Sequence, residues 1–206
     1  MMGVDRSILR LIAITDNVRD GQSGLVERAV AAVQGGATCV QLRLKDVGPG
    51  DLVVLARELV RAVGAPVIIN DRADVAIAAG AAGVHLGPDD ISAKAVRSFA
   101  PEGFIIGASV GSDAEIPRAA GADYVGIGPV FATGSKHDAG TAIGVEEFAR
   151  LAVATGLPAV AIGGISPANA RLVMEAGAAG VAAIASVFGA SDPLAAAREM
   201  SSAIGR

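Results

Sequence analysis

The sequence predicts a (β/α)₈ TIM barrel, one domain over residues 1–206, and three observations predict it. A Gly-Ala phrase recurs four times: Gly35-Gly36-Ala37-Thr38-Cys39-Val40, Ala79-Gly80-Ala81-Ala82-Gly83-Val84, Ala120-Gly121-Ala122-Asp123-Tyr124-Val125 and Ala176-Gly177-Ala178-Ala179-Gly180-Val181. Each copy follows an amphipathic stretch and precedes a short apolar run, which marks a repeated supersecondary unit. The 206 residues are 52% apolar but only 3% aromatic. That length suits one α/β barrel, and a core of Ala, Val, Ile and Leu suits helices packed closely on a parallel sheet.

Taken in order, the apolar runs are 11–15, 40–43, 67–70, 84–87, 104–109, 124–128, 159–163 and 181–185. Helical stretches separate them, among them 24–34, 51–63, 145–154 and 168–176. Gly after a helix end takes positive φ without a Cβ clash, so the recurrent phrase reads as helix cap, turn, strand. Strands alternating with helices give a parallel sheet with right-handed crossovers. Eight units close into a barrel; an open doubly wound sheet is the rival arrangement. One connection is long, 129–144 after the sixth strand. It is polar and Gly-rich, and long loops in compact folds tend to be functional.

The formal net charge is −4, and no Lys/Arg run forms a nucleic-acid footprint. Cys39 is the lone cysteine, which excludes an internal disulfide and fits a reducing compartment. Residues 1–15 carry Asp5, Arg6 and Arg10 around a brief apolar stretch, unlike a secretory signal. The longest uncharged run, 151–170, is broken by Gly156, Pro158, Gly163, Gly164, Pro167 and Asn169, unlike a membrane span. The expectation is a cytoplasmic protein that binds neither nucleic acid nor membrane. Whether it forms a homo-oligomer is left open.

Barrels carry their ligand site at the strand C-termini. There the second strand delivers Gln41, Arg43 and Lys45, the third Asn70 and Asp71, the fourth leads to Asp90, and the fifth ends at Ser109. The long loop adds Lys136. Arg and Lys neutralise phosphate oxygens, and two carboxylates without a His/Cys cluster suit Mg²⁺ rather than zinc. Gly163-Gly164 before Ser166-Pro167, with the eighth-strand loop beside it, reads as a barrel phosphate site. Bland readings stand beside these. Arg43 and Asp71 would serve as a structural ion pair, and Asp90 as a helix N-cap before Ser92. Lys45 and Lys136 read equally as solvated charges, Ser109 as a cap for a helix near Ser112, and His85 as a buried hydrogen-bonding residue.

Five spaced motifs resemble the thiamine-phosphate synthase family. They are Gln41-x-Arg43-x-Lys45, Ile69-Asn70-Asp71-Arg72, Gly83-Val84-His85-Leu86-Gly87-x-x-Asp90, Gly126-x-Gly128-Pro129-Val130-Phe131-x-Thr133-x-Ser135-Lys136 and Ile162-Gly163-Gly164-Ile165. The resemblance runs over nearly the whole chain in order. It implies a Mg²⁺-dependent transferase that joins a pyrimidine pyrophosphate to a thiazole phosphate. Gln41, Arg43, Lys45, Asn70, Ser109 and Lys136 would contact the pyrimidine pyrophosphate, with Arg43, Lys45, Ser109 and Lys136 as the catalytic set. Asp71 and Asp90 would hold Mg²⁺. Thr133, Gly134 and Ser135 would contact the thiazole phosphate, with Gly164, Ile184 and Ala185 around its phosphate.

Departures from the family pattern are Ser135 for the usual Thr, Ala185 for a common Ser, Pro88 for Gln, and the stretch 110–112. The implied chemistry is a dissociative displacement that needs no strong base. A thiazole tautomerase on the same barrel is the nearest alternative; it needs an acid–base residue where this chain has Pro129. A non-catalytic phosphate-ligand sensor and another phosphate-handling barrel are the others.

Overall fold

The structure is a computed structural model that describes residues 4–15, 21–44, 46–133 and 141–205. Eight parallel strands close into a barrel in sequence order: β1 (Leu11–Ile14), β2 (Cys39–Leu42), β3 (Val67–Asn70), β4 (Gly83–Leu86), β5 (Ile105–Val110), β6 (Tyr124–Ile127), β7 (Ala159–Ile162) and β8 (Gly180–Ala183). Pairing of β1 with β8 closes the ring, with Leu11 opposite Val181. The doubly wound alternative is thereby excluded. Each strand lies within two residues of the run expected from the sequence, because buried parallel strands are near-continuous apolar stretches bounded by polar turns.

The crossovers are α1 (Gly21–Gln34), α2 (Pro49–Ala62), α3 (Ala73–Ala79), α4 (Ala93–Arg97), a 3₁₀ segment (Asp113–Ala119), α5 (Gly144–Thr155) and α6 (Ala170–Glu175); α7 (Pro193–Ala203) follows β8. The fifth crossover is 3₁₀ because Pro117 lies inside it and offers no N–H to an α-helical ladder. The glycines of the recurrent phrase, Gly36, Gly80, Gly121 and Gly177, all have positive φ. They end each crossover and turn the chain into the next strand, as the repeat implied.

Alternate strand residues face two different cores. Ile12, Ile14, Cys39, Ile68, Tyr124, Val160, Ala182 and Ile184 fill the barrel interior. Their neighbours Val40, Leu42, Val67, Ile69, Val84 and Ile106 pack under the helices of one half. Leu11, Ala13, Val125, Ile127, Ala161 and Val181 do so in the other. The two-residue period thus aims Gln41, Asn70, His85 and Ser109 inward, toward the barrel's C-terminal mouth. Among the described residues, no helix is long and apolar enough to cross a membrane.

Candidate active site

The mouth opens on a cavity of about 730 Å³ that descends between the strands to Ile12, Tyr124, Val160 and Ala182. Of the candidate residues, Gln41, Arg43, Ser109, Thr133, Gly164, Ile184 and Ala185 line it. Asn70, Asp71 and Asp90 are not among the lining residues; Asn70 is hydrogen-bonded to the lining Gln41, and Asp90 follows the lining Pro88 and Asp89 in the β4 turn. Lys45, Gly134, Ser135 and Lys136, with His137 of the same loop, lie outside the described residues.

On the β2–β4 side the polar groups form a chain. Gln41 is 4% exposed, and its Nε2 donates to Asn70 Oδ1 at 2.8 Å. Asn70 in turn stabilises the Asp71 carboxylate. Asp71 follows directly in a left-handed conformation, φ 65°, with its N–H donating to His85 O at 2.8 Å. That turn swings its carboxylate toward Asp90. The Asp90 Oδ2 accepts from Gly87 N–H at 2.7 Å, so this carboxylate closes the β4 turn. It is not the N-cap of α4; Ser92 is, accepting from Ala95 N–H. A Cβ on Gly87 would lie 3.2 Å from Asp90 Oδ2 and 4.0 Å from Asp71 Oδ1, which places both acids beside one backbone position.

Burial pushes the Asp71 carboxyl up, and the neighbouring Asp90 pushes it further, to about 6, against the pull of Arg43. The ion pairs of the described residues do not include Arg43 with Asp71, so the simple rim ion pair gives way to a longer-range attraction. Two like charges held together in part-buried oxygen surroundings are the signature of a site that a hard cation would relieve. Among the described residues, no group of three or more His, Cys, Asp or Glu is placed to hold a metal ion.

Arg43 is aimed by a residue that inspection of the sequence passed over. Thr15, fully buried at the end of β1, accepts from Arg43 N–H at 2.9 Å and donates to Arg43 O at 3.1 Å. The available signal was a lone hydroxyl closing an otherwise apolar strand. Ser109 belongs to β5 and does not cap the segment after Ser112. Its Oγ meets His85 Nε2 at 3.1 Å.

On the opposite side, Gly163 and Gly164 turn the chain with φ 91° and 63°. A Cβ on Gly164 would lie 2.6 Å from Ala132 O, so only glycine lets the β6 and β7 loops approach this closely. Asn169 braces the turn, donating to Gly164 O and accepting from Ser166 N–H. Ser186 Oγ donates to Ile165 O, and Arg28 donates to Phe188 O and Ala190 O. Asn169, Ser186 and Arg28 were not singled out from the sequence as site residues. Among the described residues, no protein acceptor receives the N–H of Gly164 or Ala185. Two braced loops therefore present unused donors at one end of the cavity, the arrangement that holds an anion.

Fold and site together define an α/β barrel with an acid pair and Arg43 on one side of its C-terminal mouth and a backbone anion cradle on the other. Comparison with known proteins narrows this class. A family model described as thiamine monophosphate synthase matches residues 11–187, and the chain belongs to that family. It is 47% identical over 196 residues to a thiamine-phosphate synthase of Roseiflexus sp. (strain RS-1), covering 93% of this chain and 83% of the relative. It is 48% identical over 195 residues to a thiamine-phosphate synthase of Methanoculleus marisnigri, covering 92% of each. The solved thiamine phosphate pyrophosphorylase from Pyrococcus furiosus superimposes with a TM-score of 0.84 at 38% identity, covering 97% of this chain and 96% of that one.

Proposed function

We propose that this chain is a thiamine-phosphate synthase that condenses 4-amino-2-methyl-5-(diphosphooxymethyl)pyrimidine with thiazole phosphate, or its carboxylated form, to give thiamine phosphate and pyrophosphate. The observation that carries the reading is the placing of Asp71 and Asp90 beside Gly87, at the same mouth as Arg43 and the Gly164–Ala185 cradle. Two separated sites for charge fit two phosphorylated substrates brought together.

The site fits Mg²⁺: the acid pair offers hard oxygen donors, and burial with the repulsion of Asp90 outweighs the pull of Arg43 on Asp71. Asp71 and Asp90 would hold the ion, which would supply charge neutralisation to the departing diphosphate. Arg43 contributes a fixed cation for the same oxygens, and Lys45 and Lys136 are assigned there by family resemblance. The C–O bond to the diphosphate breaks, the aminopyrimidine stabilises the resulting cation, and the thiazole nitrogen lone pair forms the new C–N bond. No base is required. Gln41 and Asn70 orient the pyrimidine. Thr133, Gly134 and Ser135 contact the thiazole phosphate, and backbone N–H groups near Gly164, Ile184 and Ala185 receive its phosphate. Because those donors are main-chain, Ala185 in place of a serine leaves the cradle in place. Holding nucleophile and cation in register supplies the rest of the rate.

The tautomerase reading finds no support. Pro129 offers no acid–base group, and the relatives named above are synthases. The test is to incubate purified protein with both phosphates, with and without Mg²⁺, and to assay thiamine phosphate and released pyrophosphate. Stoichiometric formation of both, dependent on Mg²⁺, is expected; no product at saturating substrates would overturn the reading.

A further inference from the structure

Tyr124 begins β6 with its side chain inside the barrel, 1% exposed, at the floor of the cavity. Its hydroxyl lies 3.0 Å from His85 Nδ1. The other ring nitrogen, Nε2, lies 3.1 Å from Ser109 Oγ, and both His85 and Ser109 line the cavity. The two rings are tilted by 38° with centroids 5.5 Å apart, so they meet at their edges rather than stack. The sheet is cleared for this contact. A Cβ on Gly107 would lie 2.3 Å from Tyr124 Cζ and 2.5 Å from His85 Nδ1, and one on Gly126 would lie 3.0 Å from His85 Cε1. Three strands thus give up side-chain volume or contribute a polar group to build one line, from barrel interior to ligand cavity.

Proton accounting sets the direction of that line. Burial pushes the Tyr124 phenol well above its usual value, so the group is neutral and carries its hydrogen. A buried O–H that donates to nothing is costly. The hydrogen-bond partner of this hydroxyl is His85 Nδ1, so the phenol donates and Nδ1 accepts. In a neutral imidazole the proton then sits on Nε2. In that form Nε2–H donates to Ser109 Oγ, and the serine keeps its own hydrogen for a further acceptor.

We infer that Tyr124 is a positioning residue: it holds His85 in the Nε2–H form and thereby makes Ser109 a hydrogen-bond donor toward an acceptor atom of the pyrimidine diphosphate. The identity of that ligand rests on the synthase reading; the direction of the hydrogen bonds does not. A serine that accepts from His85 keeps its one hydrogen for another acceptor, which favours a ligand acceptor at this point.

The test is a long-range ¹H–¹⁵N correlation spectrum of the ¹⁵N-labelled full chain, taken above the ordinary imidazole titration range. The chain has two histidines, and His137→Gln assigns the His85 signals. Expected for the wild type is an unprotonated Nδ1 and a protonated Nε2. Tyr124→Phe should shift both toward the averaged values of mixed tautomers, and Ser109→Ala should leave the wild-type pattern in place. A wild type with Nδ1 protonated overturns the inference. So does a Tyr124→Phe ring that keeps the Nε2–H pattern, or a Ser109→Ala ring that loses it. If Tyr124→Phe fails to fold by circular dichroism, the wild-type and Ser109→Ala spectra still decide.

In kinetics, Tyr124→Phe should lower kcat/KM for the pyrimidine diphosphate about tenfold, the scale of one lost hydrogen bond, and leave KM for thiazole phosphate unchanged. An equal rise in both KM values would mark a merely structural role and count against the inference. A correct tautomer in a protein that makes no thiamine phosphate would sink the synthase reading alone.

Discussion

Gln41 Nε2 donates to Asn70 Oδ1 across 2.8 Å, from a side chain that is 4% exposed. That bond decides which way the Asn70 amide faces: with its oxygen occupied by Gln41, its NH₂ is the end turned to Asp71. A buried glutamine on an otherwise apolar strand is thus the first member of a chain that ends on the acid pair. Gln41→Met keeps the volume and removes the donor. It should cost about 1 kcal/mol of stability, the net worth of one hydrogen bond, and lower kcat/KM by about tenfold as the amide turns freely. Urea melts and steady-state kinetics on the same preparations measure both. A fully active Gln41→Met variant would remove Gln41 from the site.

Asp71 is a sharper probe because its backbone and its charge can be separated. Its φ of 65° is tolerated by Asn far better than by Ala. Asp71→Asn therefore tests the carboxylate, whereas Asp71→Ala also strains the turn. Asp71→Asn should cut Mg²⁺-dependent turnover by at least about a hundredfold, in keeping with loss of charge stabilisation at a leaving group. The same substitution should make the metal-free protein more stable, and the pH dependence gives the sign. The folded-state value is about 6, above the value of about 4 in an unfolded chain. Between these limits the folded state holds the extra proton, so stability contributed by this group falls as pH rises from about 4 to about 6 and is flat above. With chelator present, the stability of Asp71→Asn minus wild type should grow across that window and then level off. A difference independent of pH would mean that the two acids do not repel in the folded protein.

The strands and crossovers were legible because their cause is local. Apolar runs bounded by the recurrent Gly phrase name each strand, and the glycines adopt the positive φ their positions imply. The convergence of Gln41, Arg43, Ser109, Gly164 and Ala185 on one cavity was legible from barrel topology, since alternation and strand direction put them there. What stayed hidden depends on partners far apart in the chain. Asp90 resembles a helix cap by spacing, yet its oxygen is taken by Gly87 N–H and the cap is Ser92. Thr15 and Tyr124 each look like a single polar atom in an apolar run. Their roles arise from residues 28 and 39 positions away, which no window of the sequence brings together.

Gly164 tests the cradle without touching a charge. Its φ of 63° and the 2.6 Å approach of a would-be Cβ to Ala132 O are separate penalties, and that oxygen is backbone rather than the end of a flexible side chain. Gly164→Ala should cost roughly 1–3 kcal/mol of stability and displace the turn that Asn169 braces. KM for thiazole phosphate should rise by about tenfold or more while KM for the pyrimidine diphosphate changes little, because the lost N–H alignment belongs to the phosphate end. Equal effects on both substrates would show that the cradle does not serve one of them alone.

Cys39 occupies the barrel interior beneath the mouth, at 0% exposure, and burial pushes its thiol up to about 12. The thiolate is the reactive form, so at neutral pH almost none of this group is available, and the surrounding Ile12, Ile68 and Val160 block access as well. Native protein should resist iodoacetamide over hours, and alkylation should appear only with unfolding, so that its rate follows the urea melt. Cys39→Ser should retain the chemistry of the mouth but lose about 1–3 kcal/mol of stability, since it exchanges a buried apolar sulfur for a hydroxyl that must find a partner. Rapid labelling of the folded protein would require an opening of the barrel between β1, β2 and β3 that the packing of these strands does not provide, and intact-mass spectrometry at intervals during alkylation distinguishes the two outcomes.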